Sequence, residues 1–189
     1  MSIRKKYNIP DDAKVILYVG NISHNKNQAQ MVRAYNLLPA SVQENTYVLF
    51  CGSMEKDMEE VMLAVEQSPN KKHLIFCGVV AKTEMPQYYK TADGVALLSY
   101  VEGFGLGLVE GMHYGVPCMM HRDMDAFEDI FSERAVVGIE NRDDQTVATA
   151  MRTLLDKEWD RDRIRSYSNK FAPAAMANGY LDVYEKVVI

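Results

Sequence analysis

The sequence predicts an α/β fold built on a doubly wound, parallel, six-stranded sheet of the Rossmann-like type. Apolar runs of strand length recur at fairly even intervals, and segments with helical spacing lie between them. Most of these runs are continuous rather than alternating, which is typical of strands covered on both faces. The six predicted strands are 15–19, 46–51, 73–77, 94–98, 117–120 and 135–137.

The predicted helices follow from the spacing of apolar residues between these runs. Residues at i, i+3, i+4 and i+7 predict one helix from about Met31 and another from about Met58. A third begins near Val147, with Asp143 as its N-cap. Strand and helix therefore alternate along most of the chain.

The remaining helical signals lie at a proline and at the end of the chain. Thr83 is expected to cap a helix that holds Pro86 in its first turn. After Trp159 no strand pattern follows, and two helices are predicted over about 159–170 and 173–188. Tyr180 and Tyr184 would share one face of the second helix.

Composition excludes several classes of protein. The 189 residues are 48% hydrophobic, enough to bury one core without disulfides or metals. A formal charge of -5 argues against a nucleic-acid coat protein, and every apolar run is too short to span a bilayer. The start has no secretory segment, and three cysteines within apolar runs indicate reduced packing residues. We therefore expect a cytosolic, single-domain protein.

A ligand is expected beyond the carboxyl ends of the strands, as in other open parallel sheets. The first three predicted strands end in Gly20, Gly52 and Gly78. Glycine at each of these ends suggests that a ligand or another backbone comes close there. A simple chain turn is the favoured explanation for any one of these glycines, but it is a weaker explanation for all three together.

The most informative stretch follows the fourth strand and runs from Glu102 to Glu110. Gly103, Gly105 and Gly107 let the backbone approach a ligand at the start of a helix, where N–H groups favour a phosphate. Glu110 would lie about 5–7 Å inside that helix, where its carboxylate could accept from ribose hydroxyls. Glu102 precedes the helix and would point at whatever extends from the outer phosphate.

Two phosphate-binding fingerprints fail in this sequence. Gly103-Phe-Gly105 begins the GxGxxG pattern, but the next residues break its spacing, and the pattern belongs after the first strand. The Walker pattern is absent as well. The remaining candidate is Lys26, whose flexible ammonium could reach a phosphate from the loop after the first strand, although a solvated lysine explains it too.

Three passages, 15–27, 73–93 and 102–117, resemble the C-terminal, nucleotide-sugar-binding domain of the GT-B glycosyltransferases, in particular the retaining family 4. The third passage is similar to the paired-glutamate signature of that domain, with seven residues between the glutamates. The resemblance implies the C-terminal half of a GT-B fold with C-terminal helices. Residues 1–12 would be a linker from a missing N-terminal domain, and 13–189 the nucleotide-sugar-binding domain.

The resemblance also implies roles for particular residues. Glu102 would contact the donor sugar and Lys26 would grip the phosphates, and these two are the catalytic candidates. Glu110 would hold the ribose, and neither a metal nor a cofactor would be needed. The other donor-binding candidates are Gly20, Asn21, Gly103, Phe104, Gly105, Leu106, Gly78, Val79 and Val80.

The implied activity is transfer of a hexosyl unit to a glycan or lipid acceptor with retention of configuration. The acceptor half would come from the missing N-terminal domain or a partner subunit, so the fragment alone should be inactive. It would be cytoplasmic, or peripheral to a membrane through that domain. Asn21 stands where such enzymes usually have an arginine, which should weaken the diphosphate contact. A non-catalytic nucleotide-sugar-binding or assembly module and a sugar-nucleotide epimerase are the alternatives.

Overall fold

The computed structural model describes residues 2–54, 58–175, 177 and 181. Within these residues the chain forms one parallel sheet of six strands in the order β3-β2-β1-β4-β5-β6. The predicted fold class is confirmed, and the strand bounds agree with the sequence within two residues. The strands are β1 Lys14–Val19, β2 Thr46–Cys51, β3 Leu74–Gly78, β4 Gly94–Leu97, β5 Cys118–His121 and β6 Val136–Ile139.

Helices cover both faces of the sheet and bury its apolar side chains against their own. The helices are α1 Ile3–Lys6, α2 Gln28–Asn36, α3 Ala40–Gln43, α4 Met58–Glu66, α5 Met85–Thr91, α6 Leu106–His113, α7 Phe127–Ile130, α8 Asp144–Asp156 and α9 Arg161–Ser168. Short 3-10 turns span Lys71–His73 and Asn169–Phe171. No helix within the described residues is both long and apolar enough to cross a bilayer.

Two predicted helix caps have opposite outcomes. Asp143 caps α8 as predicted, and its side chain accepts a hydrogen bond of 2.8 Å from the Thr146 amide. Thr83 does not cap α5, so that prediction is wrong. The carbonyl of Ala81 instead accepts from the amide of Glu84 at 2.8 Å, and this turn delays the helix until Met85.

The sheet reverses its strand order between β1 and β4, and this reversal positions the candidate site. Tyr18 of β1 is in register with Phe50 of β2 on one side and with Ala96 of β4 on the other. The chain leaves β1 towards one side and leaves β4 towards the other, so their carboxyl ends open a crevice.

The structure tests the predictions for the two ends of the chain to different extents. Ile3 and Ile9 are buried in the core, and Arg4 donates to the Pro10 and Ala13 carbonyls at 2.7 and 2.9 Å. The segment assigned to a linker thus packs on this domain; its origin in another domain stays a prediction. The first C-terminal helix is confirmed as α9, whereas most of the second, with Tyr180 and Tyr184, lies outside the described residues.

Candidate functional site

Two loops meet at the crevice between β1 and β4; we call them the clamped loops, residues 20–27 and 98–105. Asn25 joins them by three hydrogen bonds. Its side chain donates to the Val101 carbonyl at 2.9 Å and accepts from the Val101 amide at 3.0 Å. Its carbonyl accepts from the Tyr100 amide at 2.9 Å. Hydrogen bonds of Asn25 therefore hold the two loops together beyond the ends of β1 and β4.

Tyr18 joins the same loops from below. Its side chain is fully buried, and its hydroxyl accepts from the Leu98 amide at 2.8 Å while donating to the Lys26 carbonyl. Burial raises the pKa of Tyr18, so the phenol keeps the proton that it donates. The main chain of Lys26 is thereby fixed relative to the end of β4.

The two predicted catalytic residues lie in direct contact. The Lys26 ammonium forms an ion pair with Glu102 Oε2, and Ser99 donates to the same oxygen at 3.3 Å. The side chains of Lys26 and Glu102 are 25% and 17% exposed, so the pair is only partly open to solvent. A cation and a carboxylate that could each bind a polar ligand thus lie together at the crevice.

The amino end of α6 lies beside this pair in sequence and opens the helix that carries Glu110. Gly105 is the N-cap with a φ of +77°, a left-handed conformation that favours glycine. Glycine has no side chain to cap the helix. The first N–H groups of α6 and the positive end of the helix dipole are therefore open to an anion. Glu110 follows one turn later, as expected from the sequence.

Glu110 has a different partner from Glu102. The Tyr89 hydroxyl donates to Glu110 Oε2 at 2.6 Å, and burial together with this carboxylate raises the pKa of Tyr89. A cleft of about 600 Å³ is lined by Tyr89, Glu110 and Leu106 of the site, and it continues to Lys82 and Phe171. Glu110 is therefore an oriented carboxylate at the wall of a cleft.

The glycines of this motif serve different purposes. A Cβ on Gly107 would lie 3.4 Å from the Cβ of Val19, an ordinary contact distance, so the packing of α6 beside β1 does not itself require a glycine here. A Cβ on Gly103 would meet nothing within 4 Å among the described residues. Phe104 directs its ring at Phe171, with the ring centroids 5.7 Å apart. Gly103 thus has open space beside its backbone, as close approach of a ligand would require.

The turn after β3, residues 78–80, lies further along the same edge; we call it the β3 turn. Gly78 has a φ of +68°, and its carbonyl accepts from the Gly52 amide at 2.9 Å. The Val79 side chain is 80% exposed, and Val80 is partly buried against the core. The three donor-binding candidates Gly78, Val79 and Val80 thus lie at one surface turn.

Asn21 connects the loops after β1 and β2. Its side-chain oxygen accepts from the Ser53 amide at 2.9 Å, and its carbonyl accepts from Gln28 at 3.0 Å. Its neighbour Gly20 lies beside the aliphatic part of Lys26, since a Cβ there would be 3.7 Å from that side chain. Both predicted donor-binding residues therefore border the site.

Gln30 and His121 are buried polar side chains that bond to each other and support the clamped loops. The sequence did not predict these contacts. Gln30 donates to the Arg142 carbonyl at 2.6 Å, and its side-chain oxygen lies 3.1 Å from His121 Nε2. The His121 side chain lies at the end of β5 but is only 1% exposed. Burial, aided by the positive Arg142, lowers the pKa of His121 to about 4, so the ring is neutral at pH 7.

Arg142 connects this group to the loop before Glu102. Its guanidinium forms two bonds to Asp123 of 2.7 and 2.8 Å and donates to the Ser99 carbonyl at 3.2 Å. It also lies over the Tyr100 ring, 4.9 Å from the centroid. The run of amide side chains at 21, 25, 27, 28 and 30 marks this region as polar in the sequence, but it does not identify the partners of those side chains.

Metal ligands are not gathered in the part of the chain that the structure describes. Within it, no three His, Cys, Asp or Glu side chains come together in a way that could hold an ion. Positive charge at the crevice is instead supplied by Lys26 and by the amino end of α6.

Comparison with known proteins assigns a family to this fold and crevice. The profile of Glycosyl transferases group 1 matches residues 2–171. The chain belongs to this family. Its six-stranded Rossmann-like sheet is that of GT-B glycosyltransferase structures.

Two relatives illustrate the range of the family. The chain is 25% identical over 143 residues to the O-antigen chain mannosyltransferase B of Escherichia coli, covering 76% of this chain and 37% of that protein. It is 28% identical over 192 residues to a D-inositol 3-phosphate glycosyltransferase of Corynebacterium efficiens, covering 97% and 45%. The chain thus spans less than half the length of either relative.

Among solved structures, HepE from Anabaena in complex with UDP and glucose superposes with a TM-score of 0.81. Sequence identity is 16%, and the match covers 97% of this chain and 51% of that one. At this identity the likeness concerns the fold. The membership of family 4 and the C-terminal position of the domain stay predictions.

Proposed function

We propose that this chain is the donor-binding domain of a retaining glycosyltransferase, which binds a nucleoside diphosphate sugar and donates its hexosyl unit to a glycan or lipid acceptor. One observation carries the proposal. Lys26, Glu102 and the amino end of α6 meet where the strand order reverses, which is where open α/β sheets bind their ligands.

The diphosphate binds between the Lys26 ammonium and the backbone of residues 103–106. The amino end of a helix that lacks a side-chain cap stabilises an anion. As the glycosidic bond breaks, negative charge grows on the leaving diphosphate, and a preorganised cation stabilises that charge without a metal. The acceptor hydroxyl bonds to the anomeric carbon from the face that the diphosphate leaves and gives its proton to an oxygen of that diphosphate, so the anomeric configuration is retained.

Glu102 binds hydroxyl groups of the donor sugar, and Glu110 binds those of the ribose. Tyr89 donates to one oxygen of Glu110 and so orients this carboxylate as an acceptor at the cleft wall. The base of the nucleotide contacts chiefly the backbone atoms of the β3 turn. Gly20 and Asn21 border the phosphates from the other side.

The acceptor half of the enzyme lies in a preceding domain or a partner subunit, with residues 1–12 leading into the donor domain 13–189. The curated relatives described above are roughly twice as long as this chain, in keeping with such an arrangement. The fragment alone would bind donor and transfer nothing. We place the enzyme in the cytoplasm or, through its other half, at the membrane surface.

Thermal unfolding tests the donor site. The protein is heated with UDP, GDP and ADP, each alone and as a sugar conjugate, and the measurement is repeated with Glu110→Ala. A ligand at about 100 times its Kd adds roughly 2.7 kcal/mol, or about 5–11 °C in Tm for a domain of this size. A rise with one nucleotide, lost in Glu110→Ala but kept in the exposed control Glu158→Ala, supports the proposal; no rise with any contradicts it.

A non-catalytic nucleotide-sugar-binding or assembly module is the second candidate, and Asn21 favours it. The Asn21 side chain is neutral and already accepts from the Ser53 amide, so it cannot supply the positive charge that an arginine would bring to the phosphates. Asn21→Arg in the full-length protein separates the two: a higher rate of sugar transfer favours the transferase, and an unchanged absence of transfer favours the module.

A further inference from the structure

We infer that Glu102 acts as a selectivity residue, which competes with a bound diphosphate for Lys26 and so favours ligands that carry hydroxyl groups beyond the diphosphate. The inference rests on the proposed donor site. It assigns to Glu102 a role against the bare nucleoside diphosphate, in addition to its contact with the sugar.

The contacts of Lys26 provide the first step. Its ammonium is paired with Glu102 Oε2, and this oxygen also accepts from Ser99. A phosphate that binds Lys26 must either displace this carboxylate or bind beside it. Displacement subtracts the free energy of the existing ion pair from that of diphosphate binding, and binding beside the pair brings two negative groups together.

Like-charge repulsion provides the second step. Glu102 is only 17% exposed at its side chain, so solvent and salt screen its charge less than that of a surface carboxylate. A diphosphate beside it is repelled unless the same ligand donates hydrogen bonds to the carboxylate. Sugar hydroxyls beyond the diphosphate are such donors, and a bare nucleoside diphosphate has none at that position.

The clamped loops provide the third step, because they prevent the backbone at Glu102 from retreating. Val101 is bound at both its amide and its carbonyl by Asn25. The Ser99 carbonyl accepts from Arg142, which is itself held by two bonds to Asp123. Glu102 can therefore rotate its side chain, but it stays within reach of Lys26.

The consequence concerns the product of the proposed reaction. After transfer, the nucleoside diphosphate has lost the hydroxyl groups that engage Glu102. The carboxylate then returns to Lys26 and weakens the hold on the product. Glu102 thereby aids product release as well as donor selection.

Titration calorimetry tests this with the isolated protein, using UDP against UDP-glucose and GDP against GDP-mannose as probes. The measured quantity is the ratio of the Kd of the nucleoside diphosphate to that of its sugar conjugate. Glu102→Gln keeps the shape of the side chain and removes its charge, and thermal unfolding checks that the variant is folded. We expect it to bind the bare nucleoside diphosphate about three- to tenfold more tightly, as loss of a partly shielded ion pair allows.

The ratio should then fall, because both ligands gain from the freed Lys26 but only the sugar conjugate loses its carboxylate acceptor. Glu110→Gln is the matched control: it should weaken both ligands alike and leave the ratio unchanged. Lys26→Met should abolish the gain when combined with Glu102→Gln.

The outcomes separate this inference from the function on which it rests. Wild-type protein that binds both ligands, with a ratio unmoved by Glu102→Gln, overturns the selectivity role and leaves the donor site intact. If neither the wild type nor Glu102→Gln binds any probe, the donor site and the inference both fail. Binding of a bare nucleoside diphosphate by Glu102→Gln alone supports both.

Discussion

The clamped loops and the β3 turn lie along the same edge of the sheet but are held in different ways. The clamped loops are bonded to each other by the Asn25 side chain, to β1 by Tyr18, and to a third segment by Arg142. The β3 turn is joined to its neighbour by the backbone bond from Gly52 to Gly78, and Val79 extends into solvent.

This difference matches what each region would have to do in the proposed function. Direct contact of a charged side chain with a ligand depends on its distance and direction, so Lys26 and Glu102 need neighbours that fix their positions. A base recognised by backbone atoms needs only a turn of the right shape. Side-chain substitutions should therefore affect the two regions very unequally.

The largest effect is expected at Gly52, where the two regions meet. An added Cβ would overlap the Gly20 carbonyl and lie 2.7 Å from the Asn21 amide nitrogen, at a φ of +158°. Gly52→Ala should lower the free energy of unfolding by about 4 kcal/mol, through overpacking and backbone strain. Urea denaturation measures this. Gly103→Ala, with open space around its Cβ, should cost under about 1 kcal/mol; equal losses would contradict the role of Gly52.

Acid should weaken the support of the clamped loops through His121. Its pKa is about 4 in the folded protein against 6.5 in an unfolded chain, so the unfolded state binds more protons between these values. Its contribution is complete above pH 6.5 and is lost as the pH falls towards 4, by about 3 kcal/mol at 1.4 kcal/mol per pKa unit.

Urea denaturation at pH 7.5 and pH 4.5 gives this loss for the wild type and for His121→Asn, which cannot be protonated. The variant should lose clearly less stability between the two values. The pKa of Asp123 is lowered by Arg142, so its own titration falls below this window. Identical pH dependence in both proteins would show that His121 is not the group responsible.

Tyr18→Phe should separate the clamped loops from ordinary core packing. Loss of the hydroxyl leaves the Leu98 amide and the Lys26 carbonyl without their buried partner, at a cost of about 2 kcal/mol. Tyr35→Phe is the matched control: this buried hydroxyl donates to the Gln43 carbonyl at 2.9 Å, away from the site. Both variants should lose similar stability, but only Tyr18→Phe should weaken nucleoside diphosphate binding in calorimetry.

The smallest effect is expected in the β3 turn. Val79→Ala removes two methyl groups from a side chain that is 80% exposed, so the free energy of unfolding should change by less than about 0.5 kcal/mol. Affinity for the nucleoside diphosphate should stay within about twofold if the base contacts only the backbone. A larger loss of affinity would show that the Val79 side chain contacts the nucleotide, contrary to recognition of the base by the backbone alone.

The strands and the position of Glu110 could be predicted because they depend on local pattern. A continuous apolar run identifies a covered strand, and 3.6-residue spacing places Glu110 one turn into α6. The sequence also brought Lys26 and Glu102 to one edge, since the carboxyl ends of β1 and β4 meet where the strand order reverses.

The supporting contacts could not be predicted because they join residues far apart in the chain. Gln30 meets the carbonyl of Arg142, and Tyr18 meets the amide of Leu98. Such bonds depend on strand order and on rotamers, which no local spacing encodes. The burial of His121 could not be predicted for the same reason: the end of a strand is known from the sequence, but what covers it is not.

The way Lys26 is held also bears on how fast a ligand could exchange at the site. Its carbonyl is fixed by Tyr18, while its ammonium, at the far end of four methylene groups, contacts Glu102. A change of partner by this ammonium requires rotation of side-chain bonds only. Rotations of this kind take picoseconds to nanoseconds in exposed side chains, whereas loop motions take nanoseconds to microseconds and domain motions microseconds to milliseconds. On this time scale, the meeting of ligand and protein by diffusion is the slower event.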